Sequence, residues 1–363
     1  MKIASLSYII QILFKLKSYH IFIFSILICA IFYGIEGLIG IDRFYHPDSS
    51  HYLTKYMDYS LKSYLNNPKI ILNNGYYHLT NLLNDNYYFL IVFNFILYSF
   101  TNILIYQKVF KKYFNKLSNI KLFLLLYILF LDPFRLHLAS HILKETFLIF
   151  LMTLIIVSNL KIIKIIYIYF LDIFRPNSWI YILIYLTFSN MKKIIDLKYI
   201  RIIFLLLIIS FLILVVFNKP NLVIFFDQQI NFYVNKMEHF YNKQMPLRSY
   251  DNISQFKEFG FPIGFILKNI SWPLMLISGT FIFFVSSLIF KILGIIIFIN
   301  NLIIYIISKK TFISFGLIII LILISIYTSS YTSMFRYSYI AIYSSIIYFF
   351  LNLNLDRKKP ADL

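Results

Sequence analysis

Two short stretches of an otherwise apolar chain concentrate the residue types that move protons or bind anions. The first is Asp42-Arg43-Phe44-Tyr45-His46-Pro47-Asp48-Ser49-Ser50-His51-Tyr52. The second is Asp132-Pro133-Phe134-Arg135-Leu136-His137-Leu138-Ala139-Ser140-His141-Ile142-Leu143-Lys144-Glu145. A partly desolvated carboxylate within hydrogen-bond reach of a hydroxyl can serve as a general base. Asp48 leads for that role and Glu145 is the runner-up. Asp48 has a simpler use as the cap of a helix over Ser49 to Leu65. In the second stretch, a helix starting at Pro133 places Arg135, Leu138 and Ile142 on one side, and gathers His137, His141, Lys144 and Glu145 on another. His46 and His51 with Asp48 could hold a metal, but no other segment has ligand spacing, so neither a metal nor another cofactor is expected.

Arginine usage adds a second signal. Of 34 basic residues only seven are Arg, and the chain uses Lys wherever a bare positive charge suffices. The remaining Arg are therefore candidates for positions that need a planar, bidentate fork matched to carboxylate or phosphate. Arg135, Arg175 and Arg336, together with Lys144, His137 and His141, are the candidates for binding a carboxylate or phosphate group. Arg175 lies in Arg175-Pro176-Asn177-Ser178, and Arg336 in Ser329-Ser330-Tyr331-Thr332-Ser333-Met334-Phe335-Arg336-Tyr337. Arg248 and His239 belong to a longer segment rich in Tyr and Phe that suits stacking on sugar rings.

The elements that must position these groups are membrane helices. The chain has 363 residues, is 60% hydrophobic, and carries repeated apolar runs near the roughly 20 residues that cross a bilayer. It reads as an all-α, polytopic, single membrane domain over 1–363. Ten crossings are expected near 21–40, 87–106, 122–138, 145–160, 165–174, 179–189, 201–217, 280–305, 312–328 and 337–352. The pair at 165–189 is short enough to be re-entrant.

Lys108, Lys111, Lys112, Lys116 and Lys121, Lys161 and Lys164, Lys192, Lys193 and Lys198, Lys309 and Lys310, and Arg357, Lys358 and Lys359 all fall on one side. That side is the cytoplasm by the positive-inside rule, and both termini lie there. The opposite side receives a first periplasmic loop, 41–86, and a second, 218–262, both close to charge balance. The net charge of +19 is thus an orientation signal, not a nucleic-acid footprint. The single cysteine, Cys29, excludes an intramolecular disulfide framework. The Lys-flanked first apolar run lacks a small-residue cleavage site and reads as a retained span.

The order Pro47-Asp48-Ser49-Ser50-His51-Tyr52, Asn74-Gly75-Tyr76-Tyr77, Lys144-Glu145, Arg175-Pro176 and Phe335-Arg336-Tyr337 resembles bacterial surface-polysaccharide polymerases of the O-antigen type. It is more distantly similar to the C-type glycosyltransferases that use lipid-linked donors. The resemblance implies transfer of a growing glycan from undecaprenyl pyrophosphate to a lipid-linked repeat unit at the periplasmic face of the bacterial inner membrane. It implies as partners the undecaprenyl-pyrophosphate-linked oligosaccharide, membrane lipid and a chain-length regulator protein, with no nucleic acid. Asp48 matches the first-loop acid of the C-type enzymes, but it stands alone where a paired-acid motif would be.

Three other readings stay open. A C-type glycosyltransferase would add a single sugar from a polyprenyl-phosphate donor. A lipid-linked oligosaccharide flippase would scatter charge through mid-span positions and show internal repeats. Lys291 is the one clear mid-span charge, and Glu36 sits near the outer end of the first span. A sugar acyltransferase would pair a His with an acid at one face, a pattern that His137, His141 and Glu145 imitate.

Overall fold

The computed structural model describes residues 15–41, 75–83, 85–113, 117–158, 161–174 and 263–278, and isolated positions within 49–53, 223–228, 259–261, 292–299, 321–326 and 334–347. Among the described residues every regular element is helical and none is a strand. The chain groups into two compact units, 1–182 with 343–363, and 183–342.

The first unit holds α1 (Ser18–Leu38), α2 (Gly75–Leu82), α3 (Tyr87–Ile105), α4 (Asn119–Phe130), α5 (Pro133–Ala139), α6 (Glu145–Val157) and α7 (Lys161–Phe174). A π-helical turn, Tyr106–Phe110, carries α3 on into Lys111–Tyr113. In the second unit α8 spans Ile263–Ser278.

Two of these helices, α1 and α3 with its extension, are long and apolar enough to cross a membrane. The 21 residues of α1 span about 30 Å, the thickness of a bilayer's hydrocarbon core. Its polarity is inverted relative to a helix in water. Ser25, Cys29 and Glu36 point inward, whereas Ile23, Leu27, Ile31 and Ile35 recur every four residues on the exposed face. A surface helix in water turns its apolar stripe to the core. In lipid the apolar face needs no cover, and polar groups seek one another inside. The α1–α3 contact joins aromatic packing, Phe22 against Phe100 and Tyr33 against Phe95, to polar pairs: Asn102 Nδ2 donates to Ser25 Oγ at 2.9 Å, and Gln107 Nε2 to Ser18 Oγ at 2.8 Å.

The end of α1 is set by Gly40. Its φ of +79° is the left-handed conformation that lets the chain close a Schellman-type cap. Gly40 N donates to the Gly37 carbonyl at 3.2 Å and Ile41 N to the Glu36 carbonyl at 2.9 Å, which pins the last turn where Glu36 sits. A second glycine permits close approach: a Cβ at Gly75 would lie 2.6 Å from Ile173 Cγ2, so α2 can start directly against α7.

One expected span is interrupted. The stretch 122–138 is two helices, α4 and α5, broken at Leu131 and Asp132. Pro133 lacks the amide that would continue α4. The Asp132 carboxylate accepts from Phe134 N at 2.9 Å and caps α5. The Phe130 carbonyl left over at the end of α4 accepts from Tyr98 Oη at 2.5 Å. The stretch expected to cross at 145–160 is helical from Glu145 to Val157, and α7 begins at Lys161, ahead of the expected 165. The remaining expected spans, from 179–189 onward, lie outside the described residues or are described only at isolated positions.

Candidate functional site

The site is built on α5 and the turn that follows. Pro133 and the Asp132 cap start α5 at the expected residue, and the helix runs only seven residues before the chain turns toward α6. Its carbonyls in the turn are claimed by side chains from elsewhere. Asn94 Nδ2 donates to the His141 carbonyl at 2.7 Å, and Ser49 Oγ donates to the Ile142 carbonyl at 3.2 Å. Leu138, Ile142 and Leu143 are fully buried beneath. The turn is thus anchored by side chains of other segments although it is not a helix.

On one side of α5 the two histidines stack, with ring centroids 4.6 Å apart. They meet Glu36 from the last turn of α1. His137 Nδ1 lies 2.5 Å from Glu36 Oε1, and His141 Nε2 lies 3.4 Å from Glu36 Oε2. Glu36 is 4% exposed and each histidine 2%. Ionisable groups this deep in apolar surroundings persist only when they face one another, which is what this arrangement achieves.

On the other side Arg135, also 2% exposed, is enclosed by α3 and by Tyr343. Its guanidinium donates to Asn102 Oδ1 at 2.5 Å, to the Tyr98 carbonyl at 3.2 Å and to Tyr343 Oη. The same group lies 4.0 Å from the Tyr98 ring centroid and 4.9 Å from that of Tyr343. This is the planar fork that the Arg usage led us to expect, but its acceptors are protein groups. Arg135 ties α5 to α3, as a strut of the site.

Glu145 is fully buried at the start of α6, and Lys144 before it is half-buried. Close to Glu145 lies Tyr76 of α2. Burial first, and then the Glu145 carboxylate, push the Tyr76 phenol above its ordinary range. Tyr76 and Tyr77 pack edge-on against Tyr52, with centroids 4.7 and 5.1 Å away. Ser49 and Tyr52 of the first polar stretch, Tyr76 and Tyr77 of the Asn74-Gly75-Tyr76-Tyr77 stretch, and the His141–Glu145 turn therefore converge in one unit.

Of the other assigned residues, Asp48, Arg175, Arg248 and His239 lie outside the described residues. Arg336 is half-buried in the second unit, at the start of a helical stretch.

Sequence reasoning noted Glu36 as an isolated charge and gave it no role, and it passed over Asn94, Tyr98 and Asn102. A signal for them was present. Asn94, Tyr98 and Asn102 recur every four residues along α3, a polar stripe on a helix that is otherwise apolar. Among the described residues the group that could hold a metal is Glu36, His137 and His141, whose ligand atoms all lie within 4.8 Å of one another. The His46–Asp48–His51 set lies outside the described residues. The chain matches no protein-family model, no curated protein and no solved structure.

Proposed function

We propose that the chain is a surface-polysaccharide polymerase of the O-antigen type. It crosses the bacterial inner membrane ten times and joins lipid-linked repeat units at the periplasmic face. The observation that carries this reading is the convergence of Ser49 and Tyr52, Tyr76 and Tyr77, and Glu145 on one buried polar turn. Three of the sequence stretches that resemble such polymerases are thereby neighbours in space. Transfer from undecaprenyl pyrophosphate needs a base for the acceptor hydroxyl and cations for the leaving pyrophosphate. Glu145 and Asp48 are the proposed bases, and Lys144, Arg175 and Arg336 the proposed cations. Arg248 and His239 of the second outer loop would contact the glycan, and the polyprenyl tail would rest in lipid against the exposed apolar faces.

One observation favours a second reading. The hydrogen bond between His137 and Glu36 is a His–acid pair of the kind a sugar acyltransferase would use.

Gel analysis of surface glycans from a deletion strain separates these readings. Loss of a polymerase leaves glycolipid bearing one repeat, and loss of an acyltransferase leaves full-length chains lacking the acyl group. Loss of a flippase leaves no exported repeat. In the complemented strain Glu145→Gln and Arg175→Lys should restore inserted protein without long chains, while Lys108→Ala, at the exposed end of α3, should restore both. Normal chain lengths in the deletion strain would refute the polymerase reading.

A further inference from the structure

We propose that Glu36, His137 and His141 form a binding site for a divalent transition-metal ion, zinc foremost. This goes beyond the polymerase reading and does not depend on it.

Two histidines four residues apart and one carboxylate from a distant helix are the donor set of three-ligand zinc sites. A small rearrangement of the donors would admit an ion, since Glu36 reaches the two histidines through different oxygens and the three candidate ligand atoms lie within 4.8 Å of one another. Zinc holds imidazole nitrogen and carboxylate oxygen about 2.0–2.2 Å away, so two donors on one tetrahedral ion sit roughly 3.3 Å apart. His141 Nε2 and Glu36 Oε2 are already 3.4 Å apart. His137 Nδ1 and Glu36 Oε1, at 2.5 Å, share a hydrogen bond that must open by less than about 1 Å to admit the ion. That movement lies within the reach of a glutamate side chain.

Charge argues the same way. A divalent ion would offset the Glu36 carboxylate in these apolar surroundings. Burial decides among metals. Non-haem iron on two His and one carboxylate needs several open positions, whereas a site whose three ligands are at most 4% exposed suits a four-coordinate ion. The fourth position would take water or an anionic oxygen.

The ligands are also held for the purpose. The cap at Gly40 fixes the turn carrying Glu36, and Asn94 on the His141 carbonyl fixes the backbone of the second histidine.

The test uses the full chain in detergent, with its affinity tag removed and no chelator present. Elemental analysis should find close to one zinc per chain. After stripping with EDTA, cobalt(II) should restore a visible absorption band of tetrahedral intensity. Glu36→Gln and His141→Ala should each weaken cobalt binding by at least about a hundredfold, since loss of an outer-shell partner alone weakens metal sites about 10–100-fold. His20→Ala, at an exposed histidine, should bind as before. Glu36→His keeps three ligands, so it should still bind cobalt with a shifted spectrum, which separates loss of the site from loss of fold. Wild-type protein with zinc far below stoichiometry and no cobalt band would overturn the proposal and leave a hydrogen-bonded Glu–His pair. Binding that survives both Glu36→Gln and His141→Ala would overturn it as well.

Discussion

Arg135 in the first unit and Lys268 in the second are both cations withdrawn from solvent, and the two sites are built differently. Arg135 meets three acceptors, two on α3 and one on Tyr343, and lies against two aromatic faces. Lys268, on α8, donates to the Ser325 carbonyl at 2.7 Å and lies 5.0 Å from the Trp272 ring, one helical turn away. The Lys268 site also repairs a local defect. Pro273 inside α8 cannot donate to the Asn269 carbonyl, and the single Ser325 hydroxyl is shared between that carbonyl at 3.3 Å and Asn269 Oδ1 at 2.8 Å. Lys268 thus joins α8 to Ser325 through a single amine, whereas Arg135 is a planar bracket that joins α5 to α3 and to Tyr343. In a chain that favours Lys so heavily, Arg is kept where the fork itself is used.

The largest expected effect tests that claim directly. Arg135→Lys keeps the charge and loses the fork, leaving buried acceptors unmet, so the first unit should be destabilised by about 3 kcal/mol. Thermal unfolding of the detergent-solubilised chain would show it as a lowered apparent Tm. An unchanged Tm would reduce Arg135 to a bare charge like Lys268. Tyr343→Phe should have a smaller effect, about 1 kcal/mol, because the ring face stays and only the hydroxyl acceptor is lost. If Tyr343→Phe equals Arg135→Lys, the hydroxyl carries the bracket alone and the ring contacts add nothing. The smallest effect belongs to Lys268→Met, which removes a buried charge while preserving the stem volume. It should change stability by about 1 kcal/mol or less, in either direction. A loss as large as that of Arg135→Lys would erase the contrast between the two sites.

Much of the first unit could be read in advance because long apolar runs and a proline mark helix bounds plainly. Long apolar runs announce α1 and α3, and Asp132-Pro133 announces the start of α5. The break inside 122–138 was harder to foresee, since the same Asp132 and Pro133 that begin α5 also end α4, and a hydropathy window averages over them. The separation of His137 from Arg135 onto two sides of α5 followed from helical spacing. What each side meets did not.

The sequence by itself determined the helical class, the apolar run of α1 and the clustering of His137 with His141, since each depends on residues within one segment. Only the tertiary structure decided that Glu36, 101 residues before His137, completes that cluster, and that Tyr343, 208 residues after Arg135, closes its bracket. The physical reason is that a lone polar residue in an apolar run shows that a partner is required, while the identity of that partner depends on which helices pack together.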